Sequence, residues 1–313
     1  MEQPEVLNKT IQPRLTDTDI KLDEISLTEE EIKNCGRIHI VACGTAMHAG
    51  IVGRYVMEEV ARIPVEVDIA SEFRYRNPIL NKGELCIIIS QSGETADTLA
   101  ALREAKRQGL KVISIVNVVG SSIARESDDV IYTWAGPEIA VASTKGYTTQ
   151  VSILYLIALH FAKVRGTMTE EAFQAAVREL HELPARAEEV LKVDARIAEI
   201  AKKYANRENA FIIGRGLDYA VAMEASLKLK EISYIHSESY AAGELKHGTI
   251  SLIEEGTLVV ALAGCHNVVE KTLSNIQEVK ARGAKVVVVT TEDNTGIAPL
   301  CDHIIYLPKV KEL

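Results

Sequence analysis

Short apolar runs alternate with amphipathic stretches along nearly the whole chain. In the first half the apolar runs occupy residues 37–45, 86–94, 111–118 and 128–133. The stretches between them have the 3.6-residue periodicity of helices. Continuous β-branched runs, such as the one that ends at Ser90, are typical of strands buried on both faces of a parallel sheet. The pattern therefore predicts an α/β fold in which helices cover both faces of a doubly wound parallel sheet.

The second half of the chain repeats this pattern, with apolar runs at 209–216, 257–265, 285–291 and 302–308. Gly44 and Gly214 follow equivalent runs 170 residues apart, and Gly109 and Gly283 are 174 residues apart. Residues 166–190 have helical periodicity and no strand signal. A steady offset between two copies indicates an internal repeat. We expect two tandem doubly wound domains, at 29–168 and 202–313, joined by a helical connector at 169–201.

Composition limits the partners and the compartment. A net charge of −9 over 313 residues argues against a nucleic-acid or anionic-membrane surface. The five cysteines are scattered, and Cys43 and Cys86 lie in or beside apolar runs, which predicts buried free thiols and a reducing cytoplasm. The N-terminus is polar and does not resemble a signal peptide. The longest apolar run, 151–161, is too short to span a bilayer and predicts a buried or dimer-facing helix.

The segment SQSGETADT at 90–98 is the sharpest chemical signal. Ligand sites in such sheets lie beyond the carboxyl ends of the strands, where this segment is expected. The hydroxyls of Ser90, Ser92 and Thr95, the Gln91 amide and the N–H groups of the following helix would converge there on an anion. Gly93 would let the backbone approach a ligand closely. The alternative is an ordinary capping cluster, in which Ser90 or Ser92 caps the helix.

Two further polar turns carry weaker signals. The CGT turn at 43–45 follows a strand and would add Thr45 to the same crevice, although a tight turn alone explains it equally well. The segment 136–150 is a polar entry to a helix, with Val141 and Ser143 where that helix begins. A simple capping segment is the alternative for this stretch.

The second half offers acid–base groups. Glu224, Lys228 and Glu231 are spaced i, i+4 and i+7, so they share one helix face. They are either a surface salt-bridge ladder or a carboxylate base with a lysine alongside, as proton abstraction next to a carbonyl requires. His247, next to Gly248, is either a solvated loop histidine or an acid–base group, since the imidazole side chain suits proton transfer.

Six motifs carry a resemblance to a known family. They are CGTA, IASEFRYR, SQSGETADTLAALR, VASTK, EASLKLKEISYIH and AAGELKHG, in this order. Together they resemble the isomerase half of the glucosamine-6-phosphate synthases, which consists of two tandem sugar isomerase (SIS) domains. The resemblance covers roughly residues 2–308.

The resemblance implies a reaction and a role for each matched residue. In the family, fructose 6-phosphate and glutamine give glucosamine 6-phosphate and glutamate, without a metal or an organic cofactor. The matched residues imply phosphate or pocket contacts at Thr45, Ser90, Gln91, Ser92, Thr95, Val141 and Ser143. Glu231 matches the base that moves a proton between C1 and C2, and Lys228 matches the lysine that assists it. His247 matches a ring-opening histidine contributed by the neighbouring subunit, which implies a homodimer.

The chain also departs from the family pattern. Ala46 stands where many members have a serine, so one phosphate contact is expected to be missing. The glutaminase domain and the C-terminal tail with its Schiff-base lysine do not match any part of the 313 residues. We therefore expect a piece of a longer enzyme. Two alternatives are a stand-alone SIS sugar-phosphate isomerase or deaminase and a non-catalytic sugar-phosphate sensor.

Overall fold

The computed structural model describes residues 1–309, apart from the side chain of Thr295, and the chain divides into two compact units between Pro184 and Ala185. The last four residues of the second predicted domain lie outside the described part. The strands of the first unit are β1 (Ile38–Ala42), β2 (Val65–Ile69), β3 (Leu85–Ser90), β4 (Lys111–Val116) and β5 (Asp129–Tyr132). Its helices are α1 (Gln3–Ile11), α2 (Glu29–Asn34), α3 (Thr45–Val56), α4 (Ala70–Phe73), α5 (Ala96–Arg107), α6 (Ser122–Glu126) and α7 (Lys145–Arg165).

Helix α8 (Glu170–Leu191) crosses the division, with Pro184 inside it. The second unit then contains α9 (Asp194–Tyr204), β6 (Asn209–Gly214), α10 (Leu217–Ser233), β7 (His236–Ala241), β8 (Leu258–Ala263), α11 (Val269–Lys280), β9 (Lys285–Thr291) and β10 (His303–Leu307). Short 3₁₀ turns lie at Leu245–His247, Thr249–Leu252, His266–Val268 and Thr295–Leu300.

Both sheets are parallel and have the same topology. The strand order is β2-β1-β3-β4-β5 in the first unit and, read from the other edge, β7-β6-β8-β9-β10 in the second. The predicted α/β fold with two tandem doubly wound sheets is confirmed. Each sheet has one strand more than the apolar runs predicted. The additional strand is β2 in the first unit and β7 in the second, and each lies at an edge of its sheet.

The repeat extends to individual caps and ion pairs. Gly44 precedes α3 with φ 56° and ψ −130°, and Gly216 precedes α10 with φ 59° and ψ −126°. In the first unit the aspartate before β5 accepts hydrogen bonds from a lysine of α5 and from an N–H of β4. The same three positions recur 174 residues later. The two sets are Lys106, Val112 and Asp128, and Lys280, Val286 and Asp302. Matching local contacts show that the second unit repeats the first in structure as well as in pattern.

Helix α7 is buried within its own unit. Residues 156–159 are fully buried, and the helix packs against α1, α2 and α3. Val6, Leu7 and Ile11 of α1 are buried as well, although the N-terminal segment reads as polar. The apolar run at 151–161 is therefore covered by this chain, which corrects the expectation that it could face a second subunit. No helix in residues 1–309 is long and apolar enough to cross a membrane.

Candidate functional site

The first unit has a polar cleft at the point where its strand order reverses. In a sheet of order 2-1-3-4-5 this point lies beyond the carboxyl ends of β1 and β3, the usual ligand position in such folds. The cleft has a volume of about 260 Å³. Its lining includes all seven substrate-contact residues predicted for this half of the chain: Thr45, Ser90, Gln91, Ser92, Thr95, Val141 and Ser143. Three separate segments of the sequence thus meet at one place.

The loop after β3 is held by its own hydroxyl groups. The N–H of Gly93 donates to the Ser90 Oγ atom at 3.0 Å, and the N–H of Glu94 donates to the Ser92 Oγ atom at 3.2 Å. The Oγ atom of Ser90 and the Oγ1 atom of Thr95 lie 3.3 Å apart. Thr95 is the N-cap residue of α5, and its side chain makes no capping hydrogen bond. The two serines therefore stabilise the loop before α5 and do not cap the helix itself.

Gly93 is required by the packing of this loop. Its φ is +66°, and a Cβ atom at this position would lie 2.0 Å from the Oγ atom of Ser121. The N–H of Ile123 donates to the Gly93 carbonyl at 3.0 Å, which fixes the loop against α6. A side chain at position 93 would therefore displace the segment whose N–H groups and hydroxyls line the cleft.

The acidic residue of the loop does not line the cleft. The N–H of Ser122 donates to the Glu94 Oε1 atom at 2.7 Å. Hydrogen bonding by Ser122, first through its backbone and then through its side chain, lowers the pKa of Glu94, which keeps this carboxylate ionised. Its negative charge is thereby bound at α6, so the loop at the end of β3 keeps the electropositive character of a helix N-terminus.

A third wall comes from the segment before α7. The Glu138 carboxylate accepts a hydrogen bond from the Ser143 hydroxyl at 2.5 Å. It also accepts the N–H groups of Thr144 at 2.8 Å and Gly146 at 3.1 Å. Val141 lies between these residues and is 98% exposed. Glu138 thus holds this segment in place and lines the cleft, although the sequence predicted only Val141 and Ser143 as contact residues here.

Cys43 also lines this cleft and is only partly buried, because it follows the last residue of β1. The expected burial holds for Cys86, whose pKa burial raises above the range in which a thiol ionises in water. None of the five cysteines forms a disulfide within residues 1–309. The same residues contain no group of three or more His, Cys, Asp or Glu side chains that could hold a metal ion.

In the second unit, α10 presents the predicted charged face. The Lys228 Nζ atom lies 2.5 Å from the Glu231 Oε2 atom and 3.4 Å from the Glu224 Oε1 atom. The side chain of Glu224 is 6% exposed and that of Glu231 is 29% exposed. The three residues do form a ladder along one face. The ladder is partly buried, and its carboxyl-terminal carboxylate, Glu231, is the more accessible one.

His247 ends the 3₁₀ turn after β7. The turn is anchored by Leu245, which is 1% exposed, while His247 itself is exposed. Its backbone N–H donates to the Glu244 carbonyl at 2.9 Å. The structure thus holds the backbone of His247 in a defined turn and leaves its imidazole at the surface.

Comparison with known proteins identifies the fold family. A family model for the SIS domain matches residues 31–160 and 203–313. The chain belongs to the SIS family. The two matched stretches fall on the two repeated sheets, so each sheet is the core of one SIS domain.

The most similar SIS proteins include bacterial aminotransferases. Glutamine–fructose-6-phosphate aminotransferases from Caldanaerobacter subterraneus and Clostridium tetani are 58% and 56% identical over the whole chain. The chain spans 52% of the length of each of them. A solved C-terminal domain of glucosamine-fructose-6-phosphate aminotransferase from Francisella tularensis is 41% identical, with a TM-score of 0.92 over 98% of this chain and 86% of that one. This tandem SIS chain therefore corresponds to the isomerase part of these enzymes.

Proposed function

We propose that this SIS chain is the sugar-phosphate isomerase part of a glutamine–fructose-6-phosphate aminotransferase and binds fructose 6-phosphate by its phosphate in the cleft of the first unit. The observation that carries the proposal is the meeting of seven predicted contact residues at the switch point of the sheet. The identity to aminotransferases along the whole chain supports this function over a stand-alone isomerase, a deaminase or a sensor.

The cleft supplies what a phosphate dianion needs. Ser90, Ser92 and Thr95 bring hydroxyls, and the N-terminus of α5 brings N–H groups and the positive end of its dipole. Each hydrogen bond to the charged phosphate contributes about 1.5–3 kcal/mol. A protein with a net charge of −9 would thus hold an anion through local contacts.

Proton transfer is assigned to the second unit. Ammonia would condense with the C2 carbonyl of the open-chain sugar, with loss of water. Glu231 would then move a proton from C1 to C2 while the C1 hydroxyl proton passes to the nitrogen, so that C1 becomes the aldehyde and C2 carries the amine. Lys228, whose Nζ atom lies 2.5 Å from the Glu231 Oε2 atom, would assist by holding that carboxylate in position. His247 would open the hexose ring in the site of a neighbouring subunit, which makes the functional unit a homodimer. In the full-length enzyme a glutaminase domain would supply ammonia. The reaction proposed here involves no metal or organic cofactor, and we expect it to take place in the cytoplasm.

The test is a calorimetric titration of fructose 6-phosphate into the chain and into the double variant Ser92→Ala and Thr95→Ala. Loss of two charge-assisted hydrogen bonds predicts an affinity lower by about a hundredfold or more. Ser251→Ala, which changes an exposed serine of the second unit, is the matched control and should bind like the wild type. Unchanged affinity in the double variant would refute the phosphate assignment.

A further inference from the structure

The cleft contains a buried polar side chain to which the proposed function gives no role. Gln150 lies on α7, is 2% exposed and lines the cleft. Its Oε1 atom is buried and has no hydrogen-bond partner among residues 1–309. Buried amide oxygens in folded proteins are nearly always paired, because an unpaired one loses its hydration without compensation. Because Gln150 itself lines the cleft, the missing partner is expected to enter from the cleft.

The surroundings of Gln150 show which part of the cleft it serves. Gly146 and Gln150 are four residues apart and share one face of α7, and side chains on a helix lean toward its N-terminus. The N–H of Gly146 donates to Glu138, and a Cβ atom at position 146 would lie 2.6 Å from the Glu138 Oε2 atom. Gln150 therefore belongs to the wall formed by Glu138 and Ser143, a different chain segment from the loop of Ser90 and Ser92.

The chemistry of the unpaired atom selects its partner. A carboxamide oxygen accepts hydrogen bonds and needs a donor. A phosphate dianion offers acceptors only, whereas a sugar hydroxyl can donate as well as accept. We propose that Gln150 is a further substrate-binding residue, whose side-chain amide hydrogen-bonds a hydroxyl of the sugar portion of the bound sugar phosphate. The assignment rests on the proposed function, and it divides the cleft into a phosphate end at the β3 loop and a hydroxyl-binding end at α7.

The test compares two ligands on matched variants of the same chain. Gln150→Met keeps the length of the side chain and removes its amide, and Gln150→Leu is a second apolar replacement. We expect fructose 6-phosphate to bind at least about tenfold more weakly to both variants, because the ligand hydroxyl loses its acceptor. Inorganic phosphate, which has no sugar hydroxyl, should bind within twofold of the wild type.

Thermal unfolding separates this role from a structural one. Because the Oε1 atom of Gln150 has no protein partner, neither substitution should lower the melting temperature of the ligand-free chain. Ser152→Ala is the control, since Ser152 is also buried on α7 but its hydroxyl donates to the Thr148 carbonyl at 2.8 Å. This control should lose some stability and keep its affinity for fructose 6-phosphate.

Three results with the Gln150 variants would overturn the assignment: unchanged binding of fructose 6-phosphate, an equal loss for fructose 6-phosphate and inorganic phosphate, or a lower melting temperature that accompanies the loss. If the wild-type chain binds inorganic phosphate but gains nothing from the sugar, the assignment of Gln150 fails while the phosphate site stands. If the wild type binds neither ligand, the proposed function itself is refuted, and the role of Gln150 with it.

Discussion

Gly93 provides a quantitative test of how the loop after β3 is built. Alanine at this position has two costs that the structure separates. An L-residue at φ +66° costs about 1–2 kcal/mol. The new Cβ atom would also lie 2.0 Å from the Ser121 Oγ atom and 2.5 Å from its Cβ atom, and forced overpacking of this kind costs about 1–3 kcal/mol. We therefore expect Gly93→Ala to lower the free energy of unfolding by about 2–5 kcal/mol.

Gly166 is the matched control for the backbone cost. It also has a φ of +66°, it ends α7, and a Cβ atom there would meet nothing within 4 Å. Gly166→Ala should therefore cost only the backbone share, about 1–2 kcal/mol. Urea unfolding of both variants measures the difference. Calorimetric titration with inorganic phosphate should show weaker binding for Gly93→Ala alone, because only that substitution shifts the loop.

A second substitution tests the clash directly. The Ser121 hydroxyl is buried without a partner among residues 1–309, so Ser121→Gly removes no hydrogen bond of that hydroxyl. In the Gly93→Ala background it should return the unfolding free energy toward that of Gly166→Ala and restore part of the phosphate affinity. Equal destabilisation by Gly93→Ala and Gly166→Ala, or no recovery in the double variant, would refute the argument from packing.

Three further predictions concern catalysis and pH. In an intact enzyme, Glu231→Gln should keep its affinity for fructose 6-phosphate and lose turnover by several orders of magnitude in a coupled assay; turnover within a few fold would favour a purely structural ladder. Mixing a His247→Ala chain with a Glu231→Gln chain should restore some activity if sites are shared between subunits, and none if each site is built from one chain. Burial opposes ionisation of Asp302, but hydrogen bonds from Lys280 and the Val286 N–H lower its pKa. The stability it adds should be present above about pH 4 and lost as the pH falls through the lowered pKa. Asp302→Asn and the wild type should therefore differ in unfolding free energy at pH 7, and the difference should shrink as the pH falls below about 4.

The sequence was sufficient to predict the central strands and the repeat. Strands such as β3 and β9 are covered on both faces, so they carry uninterrupted apolar runs. The edge strands β2 and β7 lack this signal for a physical reason. In β2, VEVDI, the residues after Val65 are partly or fully exposed, and β7, HSESYA, contains no aliphatic residue larger than alanine. Their identity as strands depends on pairing with β1 and β6, which is a tertiary interaction.

The candidate site was predictable where it consists of loops that follow strands. The β3 loop and the turn at Thr45 are local features with recognisable small and hydroxyl residues. Glu138 and Gln150 gave no such signal, since each is an ordinary polar residue in the sequence. Their importance depends on the position of α7. Glu138 accepts N–H groups at the start of this helix, and Gln150 is buried in the cleft wall. A carboxylate a few residues before a helix could have been noticed as a capping group, whereas the unpaired oxygen of Gln150 is visible only in three dimensions.

The second unit differs from the first in the loop at its switch point. Its switch point lies beyond the ends of β6 and β8, as in the first unit. There the N–H groups of Gly264 and Cys265 both donate to the Asp218 Oδ2 atom at 3.0 Å. These are the N–H groups after β8 that an external anion at this place would need, and a carboxylate of the chain already neutralises them. In the first unit the corresponding loop directs its own acid, Glu94, to Ser122 and keeps hydroxyls in the cleft. In the second unit Asp218 of α10 thus occupies the N–H groups after β8, whereas in the first unit the acid of the equivalent loop is bound at α6. We therefore expect an anion at the switch point of the first unit.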